Sequence, residues 1–351
     1  MKKIAILAGD GVGPEVISEA VKVLQAADEK YNIDFDLKYE LIGACAIDAT
    51  GDPLPAATVE RCQSSDAVLL GAVGHPRFDN NPAATVRPEQ GLLKIRKTLG
   101  LYANIRPIKS YKSLYKASPL KESLITDVDF VVFRELTGGI YFGDKGRRGN
   151  GSEAFDLCAY SVEEVERIAR LAFEAAQGRR RHLTLVDKAN VLETSRLWRE
   201  TVSKISNDFP NVQLDSMFVD NAAMKIVQQP AFFDVILTEN MFGDILTDEA
   251  SAITGSIGML PSASVGSKVA LFEPVHGSFP EGAGRGIANP MAAILSAAMM
   301  LEYLGYREAG QDVRAAVERA LEKGVATEEI SRDKAASTSE VGDFIAKSIV
   351  A

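Results

Sequence analysis

Length and composition predict an ordinary globular protein. The chain has 351 residues, enough for one large domain or two of medium size. Hydrophobic residues make up 46% and charged residues 25%, which excludes a disordered, collagenous or coiled-coil protein. Acidic residues outnumber basic ones by 48 to 39, and the net charge of −9 argues against nucleic acid as the main partner.

Cysteine content and the N-terminus bear on location. Cys45, Cys62 and Cys158 lie far apart and form no CxxC pair, which is typical of a reducing compartment. With only three histidines, a His-rich zinc site is not expected. The apolar run at 4–8 is too short for a signal peptide, and no apolar run reaches the roughly 18 residues of a membrane span. We therefore expect a cytoplasmic protein with no membrane partner.

Apolar runs and helical periodicities alternate along the chain. The first strand, 4–8, leads into a glycine-rich turn and a helix in which Pro14 suits the first turn. The later predicted elements are the strands 67–70, 129–133, 183–186, 212–219 and 234–237, the helices 163–176, 194–207 and 243–254, and a helix capped by Asn289, with Pro290 at its first position, that ends near Leu304. This order predicts an α/β fold with a mostly parallel sheet.

Glycines in the first turn suggest a dinucleotide-binding loop. A GxGxxG motif that starts at Gly9 requires a third glycine at position 14, where this chain has Pro14. The sequence therefore favours a tight strand-to-helix turn over a conventional Rossmann pyrophosphate loop.

Two aspartates follow the predicted strand 234–237. Asp244 and Asp248 are four residues apart, so on a helix their carboxylates share one face, about 5–6 Å apart at Cβ. Such a pair attracts a cation, and hard oxygen ligands suit Mg²⁺ or Mn²⁺. A solvated acidic face near the start of a helix is the alternative, and the pattern alone favours it.

Several arginines lie in apolar or turn contexts. They are Arg96, Arg106 and Arg134. Arg134 ends a predicted strand, where α/β sheets bind ligands, and arginine binds carboxylates through two parallel hydrogen bonds. The alternative for Arg134 is a structural ion pair with Glu135 or Glu153. The run Arg179-Arg180-Arg181 is interpreted as a solvated loop.

A lysine and a tyrosine are candidates for proton transfer. Lys188 follows the strand 183–186, between Asp187 and Asn190, and a lysine there can exchange protons if its surroundings favour the neutral form. A surface lysine is the plainer alternative. Tyr141 lies on a glycine-flanked segment suited to proton donation, with core packing as its alternative.

A glycine-rich stretch precedes the last predicted helix. Residues 273–289 contain no predicted strand or helix, and a stretch of this length inside a domain usually has a function. Its N–H groups suit a nucleotide, and Glu281 suits a ribose hydroxyl. A plain surface loop is the alternative.

Five short segments occur together in one order. They are Pro88-Glu89-Gln90-Gly91-Leu92-Leu93-Lys94-Ile95-Arg96, Arg134-Glu135-Leu136-Thr137-Gly138-Gly139-Ile140-Tyr141-Phe142-Gly143, Asp187-Lys188-Ala189-Asn190, Phe242-Gly243-Asp244-Ile245-Leu246-Thr247-Asp248 and Glu273-Pro274-Val275-His276-Gly277-Ser278. Over essentially the whole chain they resemble the β-decarboxylating dehydrogenases of the isocitrate/isopropylmalate dehydrogenase family. The combination favours functional roles over the plainer alternatives above.

The resemblance implies a reaction and its cofactors. It is strongest to members that oxidise (2R,3S)-3-isopropylmalate with NAD and release CO₂, giving 4-methyl-2-oxopentanoate in leucine synthesis. It implies that Asp220, Asp244 and Asp248 hold Mg²⁺ or Mn²⁺. It also implies that Lys188 takes the hydroxyl proton and that Tyr141 protonates the enol. The implied substrate-binding residues are Leu92, Leu93, Arg96, Arg106, Arg134 and Asp220, and the implied cofactor-binding residues are Glu89, His276, Gly277, Ser278, Glu281 and Asn289.

The resemblance also implies an architecture. The family fold has two domains and is not a conventional Rossmann fold. Residues 1–100 and 255–351 are expected to form the first domain, with the cofactor loop, and residues 101–254 the second, with the metal and substrate residues. In the family, Lys188 and Asp220 reach the site of the other subunit, so a homodimer is expected.

Substrate and cofactor choice depend on a few side chains. Leu92 and Leu93 favour an isopropyl group, whose burial is worth about 2.5 kcal/mol, whereas isocitrate would bring an unpaired carboxylate. Glu281 favours NAD because a carboxylate repels a 2′-phosphate. The alternatives are a related enzyme for D-malate, tartrate or homoisocitrate, and a catalytically silent nucleotide-binding subunit.

The chain departs from the family pattern near the expected cofactor site. The family usually has Ala at the position of Phe279 and Asp at that of Glu281. A glycine is usual in place of His75, and a Lys-Trp pair in place of Arg77-Phe78. These departures concern cofactor contacts rather than the class of reaction.

Overall fold

The computed structural model has an α/β fold and describes residues 1–79 and 85–351. Its strands are β1 Lys2–Gly9, β2 Phe35–Tyr39, β3 Ala67–Ala72, β4 Ala103–Lys109, β5 Asp129–Glu135, β6 Lys145–Arg148, β7 Glu153–Asp156, β8 His182–Asp187, β9 Gln213–Phe218, β10 Val235–Thr238, β11 Pro261–Val265 and β12 Ala270–Pro274. Its helices are α1 Gly13–Tyr31, α2 Ala44–Thr50, α3 Ala56–Gln63, α4 Pro76–Asp79, α5 Pro88–Thr98, α6 Glu122–Ile125, α7 Val162–Gln177, α8 Glu193–Ile205, α9 Val219–Gln228, α10 Asn240–Thr254, α11 Met291–Tyr303, α12 Arg307–Glu322 and α13 Thr338–Val350.

The chain forms two compact units. Unit 1 contains Met1–Leu101, Tyr111–Ala117 and Gly255–Ala351. Unit 2 contains Tyr102–Ser110 and Ser118–Thr254. Each unit has its own strands, helices and apolar core.

The strands of unit 1 run in the order β2-β1-β3-β12-β11. They pair in parallel except for β11, which is antiparallel to β12. Strands β1 and β3 are buried along most of their length, which explains their continuous apolar sequence. Helix α11 is apolar all round because α1 and α12 both pack against it and nearly all its residues are buried.

The strands of unit 2 run in the order β4-β5-β10-β8-β9. All neighbours are parallel except β4, which is antiparallel to β5. Helices α7 and α8 cover a core in which Trp198 is buried and the rings of Phe173 and Phe209 stack 4.9 Å apart. Ser161 begins α7 with a capping box to Glu164, which satisfies backbone donors at the helix start. Strands β6 and β7 form a separate exposed hairpin.

The predicted α/β class with a mostly parallel sheet is confirmed, and each predicted strand and helix overlaps an observed one. Strands β2, β4, β11, β12 and the hairpin were not predicted. Strands β2 and β4 include charged residues, and β4 also contains Pro107. No residue of β2 is buried and β4 is buried only in part, so neither strand has a continuous apolar run.

Two expectations for the C-terminal half were wrong in detail. The stretch 273–289 is not free of regular structure, because β12 extends to Pro274 and Pro280–Gly282 form a 3₁₀ turn. The last predicted helix begins at Met291 rather than at Pro290, with the Asn289 Oδ1 accepting a hydrogen bond from the Met291 N–H at 3.1 Å. Asn289 therefore accepts a hydrogen bond from the first N–H group of the helix, although it lies one residue before the N-cap position, which Pro290 occupies.

The Arg179-Arg180-Arg181 run is also not a plain solvated loop. The Arg179 Nε donates to the buried Asp234 carboxylate at 2.9 Å, and Arg180 bonds to the Phe233 carbonyl oxygen. The Arg180 Nε also lies 3.7 Å from the Asp234 Oδ1, so two of these arginines compensate the buried carboxylate just before β10. Separately, no helix among the described residues is long and apolar enough to span a lipid bilayer.

Candidate active site

Helix α10 carries the acidic pair, and Arg106 of β4 faces both members. The Arg106 Nη2 lies 3.6 Å from the Asp244 Oδ1, and its Nη1 lies 3.7 Å from the Asp248 Oδ1. Desolvation raises the pKa of the Asp248 carboxyl, and the Asp244 carboxylate adds to that rise while Arg106 opposes it. The two carboxylates therefore share one face and gain from a nearby positive charge.

Arg106 is held in place by neutral partners. Its Nε donates to the Asn104 Oδ1 at 2.7 Å, and its Nη1 donates to the Thr247 hydroxyl at 2.5 Å. The Thr247 hydroxyl in turn donates to the Gly243 carbonyl one turn earlier in α10. The guanidinium is thus buried and oriented before any ligand binds.

Arg134 ends β5 and reaches the same helix. Its Nη1 donates to the Asp244 Oδ1 at 2.5 Å, and the side chain is buried. The expected alternative, an ion pair with Glu135 or Glu153, is wrong for Glu135, which instead accepts from the Thr137 and Gly138 N–H groups and from Arg167. Arg106 and Arg134 therefore converge on one aspartate.

Tyr141 completes this group in unit 2. Its hydroxyl donates to the Asp244 Oδ2 at 3.1 Å, and the Arg134 guanidinium lies 5.8 Å from its ring centroid. Desolvation, followed by the Asp244 charge, raises the pKa of the Tyr141 hydroxyl. The group is therefore protonated at neutral pH and available as a proton donor.

Lys188 and Asp220 form a separate pair. The Lys188 Nζ lies 2.6 Å from the Asp220 Oδ1, in the loop after β8 and the first turn of α9. This hydrogen bond lowers the pKa of the Asp220 carboxyl. Within residues 1–79 and 85–351 of one chain, no three acidic, His or Cys side chains lie close enough to hold a metal ion. One chain therefore brings Asp244 and Asp248 together but does not add Asp220.

These donors are compatible with a hard divalent cation. Asp244 and Asp248 supply carboxylate oxygens from adjacent helical turns, the ligand type that Mg²⁺ and Mn²⁺ prefer. No third carboxylate of the described part of the chain joins them, and the positive charges beside them are those of Arg106 and Arg134. The pair fits a cation whose remaining ligands come from a substrate, water or a second chain.

Helix α5 of unit 1 carries the other predicted substrate residues. Leu92 is half-buried and Leu93 is 36% exposed, although both are apolar. The Arg96 Nη2 lies 2.7 Å from the Glu273 Oε1, and both side chains are largely buried. The Glu89 carboxylate lies over Gly74, where a Cβ would come within 3.0 Å of its Oε1. Helix α5 therefore presents two partly exposed leucines and an arginine that is oriented by Glu273.

A cavity of about 560 Å³ lies in unit 1, a volume typical of small-molecule sites. Of the predicted cofactor residues, its lining includes His276, Gly277 and Asn289. Phe279, Ile287 and Ala288 also line it and belong to the stretch 273–289 that was expected to bind the nucleotide. The lining residues outside that expectation are Val12, Ile257, Gly258, Glu328 and Glu329. Among the described residues, the lining does not include Ser278 or Glu281; Ser278 is buried and its carbonyl accepts from the Val12 N–H, and Glu281 is exposed.

Two polar atoms at this cavity fit a nucleotide. The His276 Nε2 and the Asn289 Nδ2 are buried without a hydrogen-bond partner among the described residues. The His276 Nδ1 lies 2.9 Å from the Gly277 carbonyl, which can only accept, so Nε2 is an acceptor when the ring is neutral. Burial lowers the pKa of His276 and favours that neutral form. A base with exocyclic amino and ring nitrogen groups would satisfy both atoms.

Sequence reasoning missed the residues that hold the arginines. Asn104 lies two residues before Arg106, and Asn240 accepts hydrogen bonds from Arg134. Thr247 lies within the segment 242–248, but no role of its own was predicted for it. A polar side chain inside an otherwise apolar strand or at a strand-to-helix junction was the available signal.

Known proteins resemble this chain over its full length. The family model described as isocitrate/isopropylmalate dehydrogenase matches residues 3–345. The 3-isopropylmalate dehydrogenase of Moorella thermoacetica is 54% identical over 99% of both chains, and that of Bacillus subtilis is 52% identical over 97% of this chain and 94% of its own. The crystal structure of isocitrate dehydrogenase from Methylococcus capsulatus matches with a TM-score of 0.90 at 33% identity, covering 100% of both chains.

Proposed function

This chain belongs to the isocitrate/isopropylmalate dehydrogenase family, and we propose that it oxidises (2R,3S)-3-isopropylmalate with NAD to 4-methyl-2-oxopentanoate and CO₂ in leucine synthesis. The observation that carries the proposal is the convergence of two buried arginines, Arg106 and Arg134, on the acidic helix α10. Two guanidinium groups beside an acidic pair suit a hydroxy acid with more than one carboxylate.

In the proposed complex, the arginines bind the carboxylates and orient the hydroxyl-bearing carbon. The arginines in this proposal are Arg96, Arg106 and Arg134. Asp244 and Asp248, with Asp220 of the partner subunit, would hold Mg²⁺ or Mn²⁺. When bound, the divalent cation supplies a Lewis acid for the substrate oxygens and the nicotinamide supplies the two-electron acceptor.

Two side chains move protons in this proposal. Lys188 accepts the proton of the substrate hydroxyl while the hydride of the same carbon passes to NAD, so that the alcohol becomes a carbonyl. After CO₂ leaves, Tyr141 gives its proton to the enol carbon, for which its raised pKa keeps it protonated. The proton passes from a hydroxyl that is already oriented by Asp244.

The substrate assignment depends on α5. Leu92 and Leu93 offer an apolar surface for the isopropyl group, whereas isocitrate or homoisocitrate would place a carboxylate against it. Curated relatives with more than 50% identity are named for isopropylmalate, and the isocitrate dehydrogenase structure shares 33%. D-Malate and tartrate lack the isopropyl group and would leave the leucines uncovered.

NAD is the proposed oxidant, bound in the cavity of unit 1. His276 and Asn289 suit the base, Gly277 also lines the cavity, and Ser278 and Glu281 belong to the same loop as Gly277. Glu89 is proposed to reach the nicotinamide side from α5. A carboxylate at Glu281 accepts from a ribose 2′-OH and repels a 2′-phosphate, which favours NAD over NADP.

A cytoplasmic homodimer is the proposed active form. Several apolar side chains of unit 2 are exposed on the helices that carry the acidic residues, namely Met224 and Val227 on α9 and Ile245 on α10. Exposed apolar groups of this kind mark surfaces that another chain covers. Such contact would place Lys188 and Asp220 of the partner subunit near Asp244 and Asp248.

The test is steady-state NADH formation by purified protein. 3-Isopropylmalate should give the highest kcat/KM among isopropylmalate, D-malate, tartrate, isocitrate and homoisocitrate, with NAD preferred to NADP. EDTA should abolish turnover, and added Mg²⁺ or Mn²⁺ should restore it. A higher kcat/KM with any other acid would overturn the substrate assignment, and full turnover by K188A would overturn the assigned chemistry.

A further inference from the structure

Asn240 is a buried side chain that no step of the proposed reaction uses. It is the first residue of α10, one residue beyond Glu239, which follows the end of β10, and it is fully buried. Its amide group and its backbone make hydrogen bonds to three other segments of unit 2. A buried amide with this many partners is costly to misplace, so its position is well determined.

One side of Asn240 holds Arg134. The Asn240 Oδ1 accepts from the Arg134 Nη2 at 2.8 Å and from its Nε at 3.1 Å, and the Asn240 carbonyl oxygen accepts from the Nε at 2.9 Å. Gly243 packs against the same arginine, since a Cβ there would lie 2.7 Å from the Arg134 Cβ and Cγ. The guanidinium is therefore fixed along one edge by Asn240 and along its stem by the helix.

The other side of Asn240 holds the loop before Tyr141. Its Nδ2 donates to the Gly138 carbonyl at 3.1 Å, and its backbone N–H donates to the Tyr160 hydroxyl at 3.0 Å. Tyr160 in turn fills the space above Gly139, where a Cβ would lie 2.2 Å from its hydroxyl oxygen. The segment from Gly138 to Tyr141 is thus tied to the residue that also holds Arg134.

We propose that Asn240 is a positioning residue that aligns the substrate-binding Arg134, through its Oδ1, with the proton donor Tyr141, through its Nδ2. The inference rests on the proposed function, because it takes the roles of Arg134 and Tyr141 from it. Asn240 itself does not touch the substrate. Its Oδ1 serves substrate binding and its Nδ2 serves proton transfer. Substitutions that remove one of these two groups, or both, should therefore change KM and kcat to different extents.

Variants of Asn240 test this division. N240L keeps the approximate size and removes both halves, so KM for isopropylmalate should rise at least tenfold and kcat should fall at least tenfold. N240D keeps an acceptor for Arg134 but removes the donor to Gly138, so KM should return to within about threefold of wild type while kcat stays low. KM for NAD should stay constant in both variants, because the nucleotide cavity lies in unit 1.

Controls distinguish this role from a structural one. N207L makes the same change at an exposed asparagine of unit 2 and should leave both constants unchanged. A thermal melt and a titration with NAD identify any variant that fails to fold, and N240S then replaces N240L, with the same expected loss. Equal losses of substrate binding, NAD binding and melting temperature in every Asn240 variant would overturn the proposal.

A variant of Arg134 distinguishes a wrong role for Asn240 from a wrong proposed function. If R134M raises KM for isopropylmalate and N240L does not, the role of Asn240 is wrong while the proposed function stands. If R134M leaves that KM unchanged, Arg134 does not bind the substrate, and the roles of both residues fall together. Absence of turnover by wild type with isopropylmalate would overturn the substrate assignment alone, provided another acid shows the same Asn240 pattern.

Discussion

At the scale of single residues, the leucines of α5 are the clearest candidates for substrate choice. Leu93 is 36% exposed on a helix whose buried residues are Pro88, Gly91 and Ile95. An isopropyl group would cover the exposed third of this side chain, which is worth about 0.5–1 kcal/mol. An apolar side chain must be accessible in the protein without substrate if it is to contact the isopropyl group when the substrate binds.

We predict that L93N lowers kcat/KM for isopropylmalate roughly tenfold or more, because the apolar contact is lost and a polar group is left facing the isopropyl methyls. Activity with D-malate, which has no isopropyl group, should change less than threefold. The measurement is the ratio of the two kcat/KM values. L41N makes the same change at another exposed leucine of unit 1 and should leave the ratio unchanged; an unchanged ratio in L93N would remove Leu93 from the site.

Phe279 combines an unusual backbone with an exposed ring. Its φ is +38°, in the left-handed region that non-glycine residues rarely adopt, and its side chain is 48% exposed at the edge of the nucleotide cavity. The ring packs over Gly282, where a Cβ would lie 2.3 Å from its Cε1. Backbone strain that persists at a ligand cavity indicates that the ring has a use there.

Two substitutions separate the ring from the backbone. F279A and F279G both remove the ring and should raise KM for NAD about three- to tenfold, with KM for isopropylmalate unchanged. F279G also relieves the left-handed strain, so it should melt at a higher temperature than F279A. Steady-state kinetics and a thermal melt measure the two effects. If neither variant changes KM for NAD, the ring does not contact the cofactor.

At the scale of elements, the junction of β10 and α10 brings together most of the site in unit 2. Strand β10 ends at Thr238, and the two residues that follow, Glu239 and Asn240, are buried. Helix α10 then presents Asp244 and Asp248 one turn apart. The aspartate spacing was visible in the sequence because it depends only on the helical repeat. The partners of Arg134 were not, because they depend on how β5 and β10 pair.

The same distinction holds for the fold as a whole. Strands buried on both faces, such as β3 and β8, were predicted because each is a continuous apolar run. Strand β2 is partly exposed and β11 is Pro-Ser-Ala-Ser-Val, and neither has a pattern of its own. Their place is decided by neighbouring strands, which a local reading of the sequence does not contain.

Glu239 gives this junction a pH-dependent stability. It is 5% exposed, its carboxylate accepts from the Cys158 thiol at 3.8 Å, and burial raises its pKa to about 7. The nearby Glu135 charge adds to the rise. The folded protein therefore binds this proton more tightly than the unfolded chain does. Its contribution to stability is complete below the ordinary glutamate pKa and is lost as the pH rises through about 7.

We predict that wild type loses stability relative to E239Q by on the order of 2 kcal/mol between pH 5 and pH 8, because glutamine stays neutral at both. The measurement is the free energy of unfolding in urea at a fixed protein concentration. E193Q, at an exposed glutamate of α8, should show no such trend. A wild-type minus E239Q difference that is the same at both pH values would mean that Glu239 does not titrate in this range.

At the scale of the whole molecule, the question is where the third carboxylate comes from. One chain holds Asp220 against Lys188 and holds Asp244 and Asp248 against Arg106, and its described residues do not combine the three. If each active site uses Lys188 and Asp220 of one subunit with Asp244 and Asp248 of the other, the two groups can be inactivated in different chains. Such a design makes activity depend on the pairing of chains rather than on either chain alone.

We predict that K188M and D244N homodimers are both inactive, whereas a mixed dimer with one chain of each kind is active. In the mixed dimer, one site takes its lysine from the D244N chain and its aspartate from the K188M chain, so one of the two sites is intact and activity is about half that of wild type per dimer. Co-expression with two different affinity tags isolates the mixed dimer for NADH assays. A mixed dimer of wild type with a K188M/D244N double variant is the matched control, because it has no intact site. Inactivity of the K188M–D244N dimer, with activity in that control, would place each complete site within a single chain.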